Sequence, residues 1–397
     1  KDVNGLKYLW PVPHEQTNSL LVRVLQLWPN NVGKTMDLPH AAGVNWASFN
    51  TIGDKVVTAA TDSTAIIWNS NNGAKLFVLS PNHGQVNSAV FSPNGEYVLT
   101  ASADGNARLW SVANGTLVRA YPHTNGTNVA SAQFNHAGDR IITVCSDGKL
   151  RLMTLDGNSV SPTFPMPIKE ASFAVFHPDD NKFFVAANDG VVRLIDYNGS
   201  IIGNYDTKET GDFNGYTKHI SVNKAGTLLA ASNDIGKKVV VFSLTTNKKL
   251  YKISHSADSA VVMNATSFFY NSADSKEYLL TTGIDGTARR WNALDGSIPK
   301  GSEGQDTLHK FAEHRKSVQT AFFNFDGSRL LTASWDSTAK IWNLNQRYLQ
   351  IDTIDCSARI ALAKIKADSL DCGQVYVGSS KTRTAPYMIK NISDFKF

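Results

Sequence analysis

Three cysteines in 397 residues, none in a C-x-x-C arrangement, leave no disulfide scaffold and no thiolate metal site to build a fold around. Cys145 lies inside an apolar run, where a thiol acts as a small hydrophobe. Cys356 and Cys372 open two successive strands, which places them roughly 20 Å apart, so they are not expected to pair. Long apolar runs are missing too. The stretch LLVRVLQLW at 20–28 is nine residues long and contains Arg23 and Gln26, too short and too polar for a membrane span or a signal-peptide core. H-E-x-x-H, P-loop and dinucleotide-glycine patterns are absent as well, so no cofactor or metal is expected. Nor is there a block of like charge. The net charge is +5, yet the cations are scattered in pairs such as Lys237-Lys238, Lys248-Lys249 and Arg289-Arg290. That pattern describes a solvated surface, and neither a nucleic-acid partner nor a membrane is expected.

What the chain does have is apolar bulk and a repeat. It is 42% hydrophobic and 18% charged, with 19 Phe, 12 Tyr and 8 Trp, which is enough to build a large interior. Single cores stop growing near about 250–300 residues, so a chain of this length needs either a domain boundary or a repeating architecture. TAATDSTAIIWN (58–69), TASADGNARLWS (100–111), TVCSDGKLRLMT (143–154), AANDGVVRLID (186–196), TTGIDGTARRWN (281–292) and TASWDSTAKIWN (332–343) each place a large apolar residue six positions after an aspartate. ASNDIGKKVVVFS (231–243) stretches the interval to eight. The seven aspartates, Asp62, Asp104, Asp147, Asp189, Asp234, Asp285 and Asp336, are spaced by 42, 43, 42, 45, 51 and 51 residues. Within each unit, turn residues such as Pro93-Asn94-Gly95 and Asp104-Gly105 punctuate short β-rich runs, with no helical period between them. Seven four-stranded all-β units follow.

With these copies in view, the sequence resembles the WD-repeat (WD40) family, in which a Gly-His-like pair precedes the first strand and a Trp-Asp-like pair follows the third. Here the final pair is Trp68-Asn69, Trp110-Ser111, Trp291-Asn292 or Trp342-Asn343, and the leading element survives as His40, His83, His123, His255 and His314. The resemblance implies a β-propeller of four-stranded antiparallel blades. It also implies buried His-Ser-Asp-Trp tetrads, formed here by His83, Ser102, Asp104 and Trp110 and by His314, Ser334, Asp336 and Trp342. Eight blades are expected, with seven as the alternative. Seven full repeats would cover 40–355, with RYLQIDTID (347–355) as the outer strand of the seventh. An eighth blade would draw on 356–391, with Thr382 and Met388 in the aspartate and tryptophan slots, and would be closed by a strand near 34–39. Residues 1–27 are then an N-terminal extension and 28–397 a single, monomeric propeller.

A serine, a histidine and an aspartate near one another also raise the question of a hydrolase triad. The motif recurs in graded states of loss, with Ala60, Cys145, Ala187 or Gly283 in the serine slot, and Ser334 has no G-x-S-x-G elbow. We therefore expect a non-catalytic scaffold that binds a protein or peptide, acidic in character, on the face carrying the turns before each aspartate. The alternatives are a sensor or regulatory domain of a larger chain, which a start at Lys1 rather than Met would suit, and an enzyme with its site in the central channel. Residues at the rim of that face are Thr61, Ala103, Ser146, Asn188, Asn233, Ile284 and Trp335. Trp335 stands out, with Arg315 and Lys316 expected beside it and Ile284 and Arg289 extending the patch. A cytoplasmic location is expected.

Overall fold

The computed structural model describes residues 36–344 apart from 124–126, 147–148, 161–170, 209–214, 235, 257–260, 273 and 301–308. It also gives the backbone of strands Leu6–Tyr8, Val22–Leu27, Gly33–Pro39, Phe164–Pro165 and Leu349–Ile354. Every regular element among the described residues is a β-strand. Two compact units emerge, residues 34–342 on the one hand and residues 1–33 with 343–397 on the other.

The larger unit is a propeller of seven four-stranded antiparallel sheets. In blade 1 the strands, called a to d from the inside outward, are Val44–Phe49, Lys55–Ala60, Ala65–Asn69 and Lys75–Leu79. The innermost a strands of blades 2 to 7 are Val86–Phe91, Val129–Phe134, Ala171–Phe176, Thr217–Val222, Met263–Asn271 and Val318–Phe323. Each packs against the next, and that of blade 7 against that of blade 1. An antiparallel sheet usually alternates apolar and polar residues because one face meets water. In the b strands this alternation is lost: KVVTAA, YVLTAS, RIITVC, KFFVAA and RLLTAS are buried at every position after the first, because a neighbouring blade covers each face. The d strands, at the outer edge, are mostly exposed.

Side chains near the start of the a strands tie one blade to the next. The Asn45 amide donates to the Val86 carbonyl at 2.9 Å, Asn87 to Val129 at 2.7 Å, Asn264 to Val318 at 2.7 Å, and the Ser172 hydroxyl to Thr217 at 2.5 Å. A bulge recurs at this same level in each a strand, between Val44 and Trp46 in blade 1 and between Val318 and Thr320 in blade 7. An extra residue there increases the twist of the strand at the mouth of the channel.

The expectation of eight blades is corrected to seven. The strand expected near 34–39 exists as Gly33–Pro39, but it lies beside strand c of blade 7, Thr338–Asn343, and is the fourth strand of that sheet. Leu38 is buried among Leu331, Ala333, Ala339 and Ile341, and the Lys340 ammonium meets Asp37 Oδ1 at 2.7 Å. A sheet edge accepts one partner, so Leu349–Ile354, expected as the outer strand of this blade, pairs elsewhere. It runs antiparallel to Val22–Leu27, with Val22 opposite Ile354, and Val22–Leu27 in turn pairs with Leu6–Tyr8 in a separate three-stranded sheet. The strands expected for an eighth blade at 356–391, with Thr382 and Met388, lie outside the described residues, as do Cys356 and Cys372.

Candidate functional site

The repeated aspartates sit in the b–c turns, and blade 7 shows what they do. Asp336 accepts hydrogen bonds from the amides of Thr338 and Arg315, at 3.1 and 3.0 Å, and from the Thr338 hydroxyl at 2.6 Å. It also meets His314 Nδ1 at 2.8 Å. His314 Nε2 lies 2.7 Å from Thr332 Oγ1, and that hydroxyl accepts the Trp342 indole N–H at 2.9 Å. One set of protons satisfies every group: Nδ1–H donates to the carboxylate, the threonine O–H donates to Nε2, and the threonine oxygen accepts from the indole. This requires a neutral imidazole, and burial does lower the His314 pKa, against the opposing pull of Asp336. Burial by itself would raise the Asp336 pKa, but bonds from Thr338 and His314 outweigh it and hold the carboxyl at about 2. The same relay joins His40, Thr58, Asp62 and Trp68 in blade 1, and His255, Thr281, Asp285 and Trp291 in blade 6.

Two of the residue types expected in the tetrads are placed differently. The linking hydroxyl is the threonine ten positions before each tryptophan, not the serine two before each aspartate. In blade 2 Trp110 lies opposite Val98, so Thr100 is its diagonal neighbour and Ser102 is about 7 Å farther along the strand. The Trp110 indole accordingly donates to Thr100 at 2.9 Å. Ser102 and Ser334 are fully buried and staple the turn instead. Ser334 donates to the Lys316 carbonyl and accepts from the Asp336 amide, both at 3.1 Å, and Ser102 bonds Gly84 and Asp104 in the same way. Neither serine bonds a histidine. His83 is exposed and offers only its backbone amide to Asp104, at 2.9 Å. The buried position one residue earlier belongs to Asn82, and a guanidinium supplies the missing donor to the aspartate. Arg108 forks onto Asp104 at 3.0 and 2.8 Å and reaches Asn82 at 3.2 Å. Arg193 takes Asp189 and Arg289 takes Asp285 in the same i,i+4 manner. The sequence carried this signal as D-G-x-x-R at 104–108, 189–193 and 285–289, and the threonine signal as the constant Thr-to-Trp interval. Blade 3 shows the relay altered: with Met153 in place of an indole, the buried Thr143 hydroxyl and both nitrogens of buried His123 have no hydrogen-bond partner among the described residues. Asp147 lies outside the described residues.

On the face of the b–c turns, Trp335 is 51% exposed. Its indole lies over Gly43 of blade 1 so closely that a Cβ at Gly43 would stand 3.1 Å from its Cδ1, and its N–H donates to Asn45 Oδ1 at 3.1 Å. Arg315 and Lys316, on the loop that leads into strand a of the same blade, are exposed and form no ion pair among the described residues. The blade 6 turn abuts this loop, since Gly286 rests against the His314 carbonyl, and it presents a half-exposed Ile284. Arg289 is different. It is mostly buried and neutralised by Asp285 at 3.1 Å. At the other rim positions Thr61, Ala103 and Asn188 are half-buried, Ser146 is exposed and Asn233 is buried.

Sequence reasoning did not anticipate the centre of the ring. The a strands of blades 1, 4, 5 and 7 send Trp46, Phe173, His219 and Phe322 into one aromatic cluster. Trp46 stacks on Phe173 at 5.7 Å, and Phe173 lies 4.1 Å from His219. His219 does not occupy the repeated histidine slot, so no periodicity points to it. Burial pushes its pKa down to about 3, and its Nε2 has no hydrogen-bond partner among the described residues. A group whose folded-state pKa falls below its ordinary value of 6.5 withdraws stability as the pH drops through that window, because the unfolded chain takes up the proton first. Going from pH 7 to pH 5 should therefore cost about 2 kcal/mol through His219 alone. Urea unfolding of His219→Phe should show that much less acid sensitivity. His40, His255 and His314, whose pKa values are lowered in the same direction, leave a residual slope. An acid sensitivity equal to that of the wild type would contradict the placement of this imidazole.

Among the described residues no group of three or more His, Cys, Asp or Glu side chains is placed to hold a metal ion, and no helix is long and apolar enough to cross a membrane. The family model described as WD domain, G-beta repeat matches residues 73–111 and 305–343. Each match runs from the d-strand region of one blade through strand c of the next, ending at Ser111 of blade 2 and Asn343 of blade 7. The chain is also 24% identical over 172 residues to DNA damage-binding protein 2 of Mus musculus, a match covering 43% of this chain and 36% of the mouse protein. The chain thus spans little more than a third of the length of that curated relative. The chain is thus a β-propeller of seven four-stranded blades, with a histidine–aspartate–indole relay in three of them, and two of its blades match the WD domain, G-beta repeat model.

Proposed function

We propose that the chain is a non-catalytic scaffold that binds an acidic segment of a partner protein on the face of the b–c turns, at the junction of blades 7 and 1. The half-exposed Trp335 indole carries this reading. It is held in place by Gly43 and Asn45, and the Trp335 amide donates to Ser317 at 3.1 Å, on the loop that carries two exposed cations, Arg315 and Lys316, with no carboxylate partner among the described residues. A fixed aromatic side chain loses little entropy on binding, and adjacent cations add charge complementarity, the composition typical of interface hot spots. Ile284 extends the apolar surface, whereas Arg289 is already committed to Asp285. The aromatic rings filling the centre of the ring, and the threading of Ser334 into main-chain hydrogen bonds, weigh against an enzyme with a channel site or a serine nucleophile. A role as the regulatory domain of a longer chain fits the same surface.

Affinity capture tests the reading. Trp335→Ala with Arg315→Ala should lower recovery of acidic partners at least tenfold, about 1.4 kcal/mol in binding, while the melting temperature moves by only a few degrees because both side chains lie at the surface. Equal recovery by wild type and variant would remove the site assignment. A second reading, duplex DNA on the same face, is favoured by the likeness to the mouse DNA damage-binding protein and by the net charge of +5. It predicts affinity for a DNA duplex that falls steeply with salt and weakens when Arg315 and Lys316 are both replaced by alanine.

A further inference from the structure

The outer rim of blade 5 differs in charge from the rest of the ring. Residues 207–253, from the loop that enters this blade to the end of its outer strand, hold eight lysines and no arginine against three carboxylates, a net charge of +5 that equals that of the whole chain. The pairs Lys237-Lys238 and Lys248-Lys249, which the sequence reading placed on a solvated surface, belong to one sheet, whose strands c and d are Lys238–Ser243 and Lys248–Ile253. Strand d is the edge strand, and Lys248, Lys249 and Lys252 on it are exposed. Lys249 Nζ donates to the Lys208 carbonyl at 2.8 Å, which draws the loop leaving blade 4 against the same strand. Asp234 takes Lys218 at 3.5 Å, and Asp206 accepts from the Lys208 amide at 2.9 Å, but the ammonium groups of Lys208, Lys237, Lys248 and Lys249 have no carboxylate partner among the described residues. Leu250 stands among them. It is the extra residue of a bulge, since Tyr251 pairs with Val241 and Lys249 with Phe242, and it is 46% exposed. Ile201 and Ile202, on the outer strand of blade 4, Ile201–Asp206, are exposed as well. The Tyr205 hydroxyl ties that strand to blade 5 by donating to Asn247, the residue before Lys248, at 3.0 Å.

We infer that this rim is a contact surface for an anionic lipid membrane, with the lysines meeting the headgroups and Leu250, beside Ile201 and Ile202, entering the interface. Charge complementarity selects a polyanion, and three observations choose among polyanions. An acidic strand added to the edge needs a continuous ladder, which the bulge at Leu250 interrupts. Nucleic-acid surfaces draw on arginine forks and stacking aromatics, whereas this blade has no arginine, and Tyr251 is half-buried with its hydroxyl bonded to the Ala293 carbonyl. An exposed aliphatic side chain amid lysines gains nothing against a phosphodiester backbone, but it gains on entering the headgroup and acyl boundary of a bilayer. Lysine ammonium groups, point charges on flexible stems, suit headgroups that move laterally. This surface lies on the rim of blade 5 and does not rest on the reading proposed above.

Co-sedimentation of the whole chain with vesicles tests the inference. Phosphatidylcholine vesicles carrying about 30% phosphatidylserine should bind it, with binding that weakens as salt is raised, and vesicles of phosphatidylcholine alone should not. Lys248→Gln with Lys249→Gln should lower the partition coefficient about 25-fold, because each lysine near an anionic surface contributes about fivefold. Leu250→Ser should lower it by at least about threefold. Arg119→Gln, exposed beside Leu117 and Val118 on the outer strand of blade 2, removes a cation from a different part of the rim and should change it by less than about twofold. All of these side chains lie at the surface, so an unchanged melting temperature separates lost contact from lost fold. Equal binding to neutral vesicles, no binding to anionic ones, or indifference to either the lysine or the leucine variant would overturn the proposal. So would a DNA duplex or an acidic peptide that binds through the same lysines while vesicles do not, since that polyanion would then be the occupant.

Discussion

Arg108→Met is expected to destabilise the propeller by about 3 kcal/mol or more, the largest loss we anticipate from a single side chain outside the aromatic core. Both partners of the pair are nearly buried, with side-chain exposures of 8% for Arg108 and 7% for Asp104. Removing the guanidinium leaves a buried carboxylate whose nearest side-chain cation is gone, because His83 points outward. Burial then raises the Asp104 pKa against only the His83 amide and Asn106, which remain of the bonds that now hold it at about 2. The pH dependence separates this from a packing defect. In the wild type the depressed pKa contributes stability that is present above about pH 4 and is lost as the pH falls toward 2. In Arg108→Met that part of the acid profile should disappear, and Asp104→Leu added to it should restore much of the loss at neutral pH by removing the orphaned charge. Urea unfolding from pH 7 to pH 3 would decide the matter. A variant within about 0.5 kcal/mol of wild type would mean that the pair does not hold the turn.

Thr332→Val should come next, at about 2–4 kcal/mol, because it orphans two buried groups at once: the Trp342 indole N–H and His314 Nε2. The substitution nearly conserves volume, so little of the loss comes from packing. Ser334→Ala removes a hydroxyl that bonds only main-chain groups, Lys316 and Asp336, and should cost about 1 kcal/mol. The comparison is informative because the two residues are neighbours on one strand face. If Ser334→Ala proved the more damaging, the relay would run through the serine rather than the threonine. Trp342 fluorescence, in a ring whose N–H has lost its acceptor, gives an independent readout.

The contrast between Thr332 and Ser334 also marks how far the residue pattern could be read. That an aspartate, a histidine and an indole meet in each complete blade was legible, because the interval between aspartate and tryptophan is constant. Which hydroxyl joins them was not, because Thr332 and Ser334 differ by two positions and a strand places both on the same face. Only the antiparallel register, with Trp110 opposite Val98, singles out the threonine. His83 was misplaced for a related reason: a one-residue shift decides whether an imidazole enters the blade or meets solvent, and Asn82 with Arg108 fills the space.

By itself, the sequence determined the all-β class, the seven repeating units and the turn aspartates, all of which rest on local spacing and on the chemistry of single turns. Tertiary structure alone decided that seven blades form rather than eight, because which strand takes the free edge of Thr338–Asn343 is a competition between segments some 300 residues apart, and Gly33–Pro39, with Leu38 and Asp37 matched to that edge, occupies it. It likewise decided the aromatic centre of Trp46, Phe173 and His219. This cluster joins residues from separate blades, and no local pattern encodes which side chains of distant strands will meet across a channel.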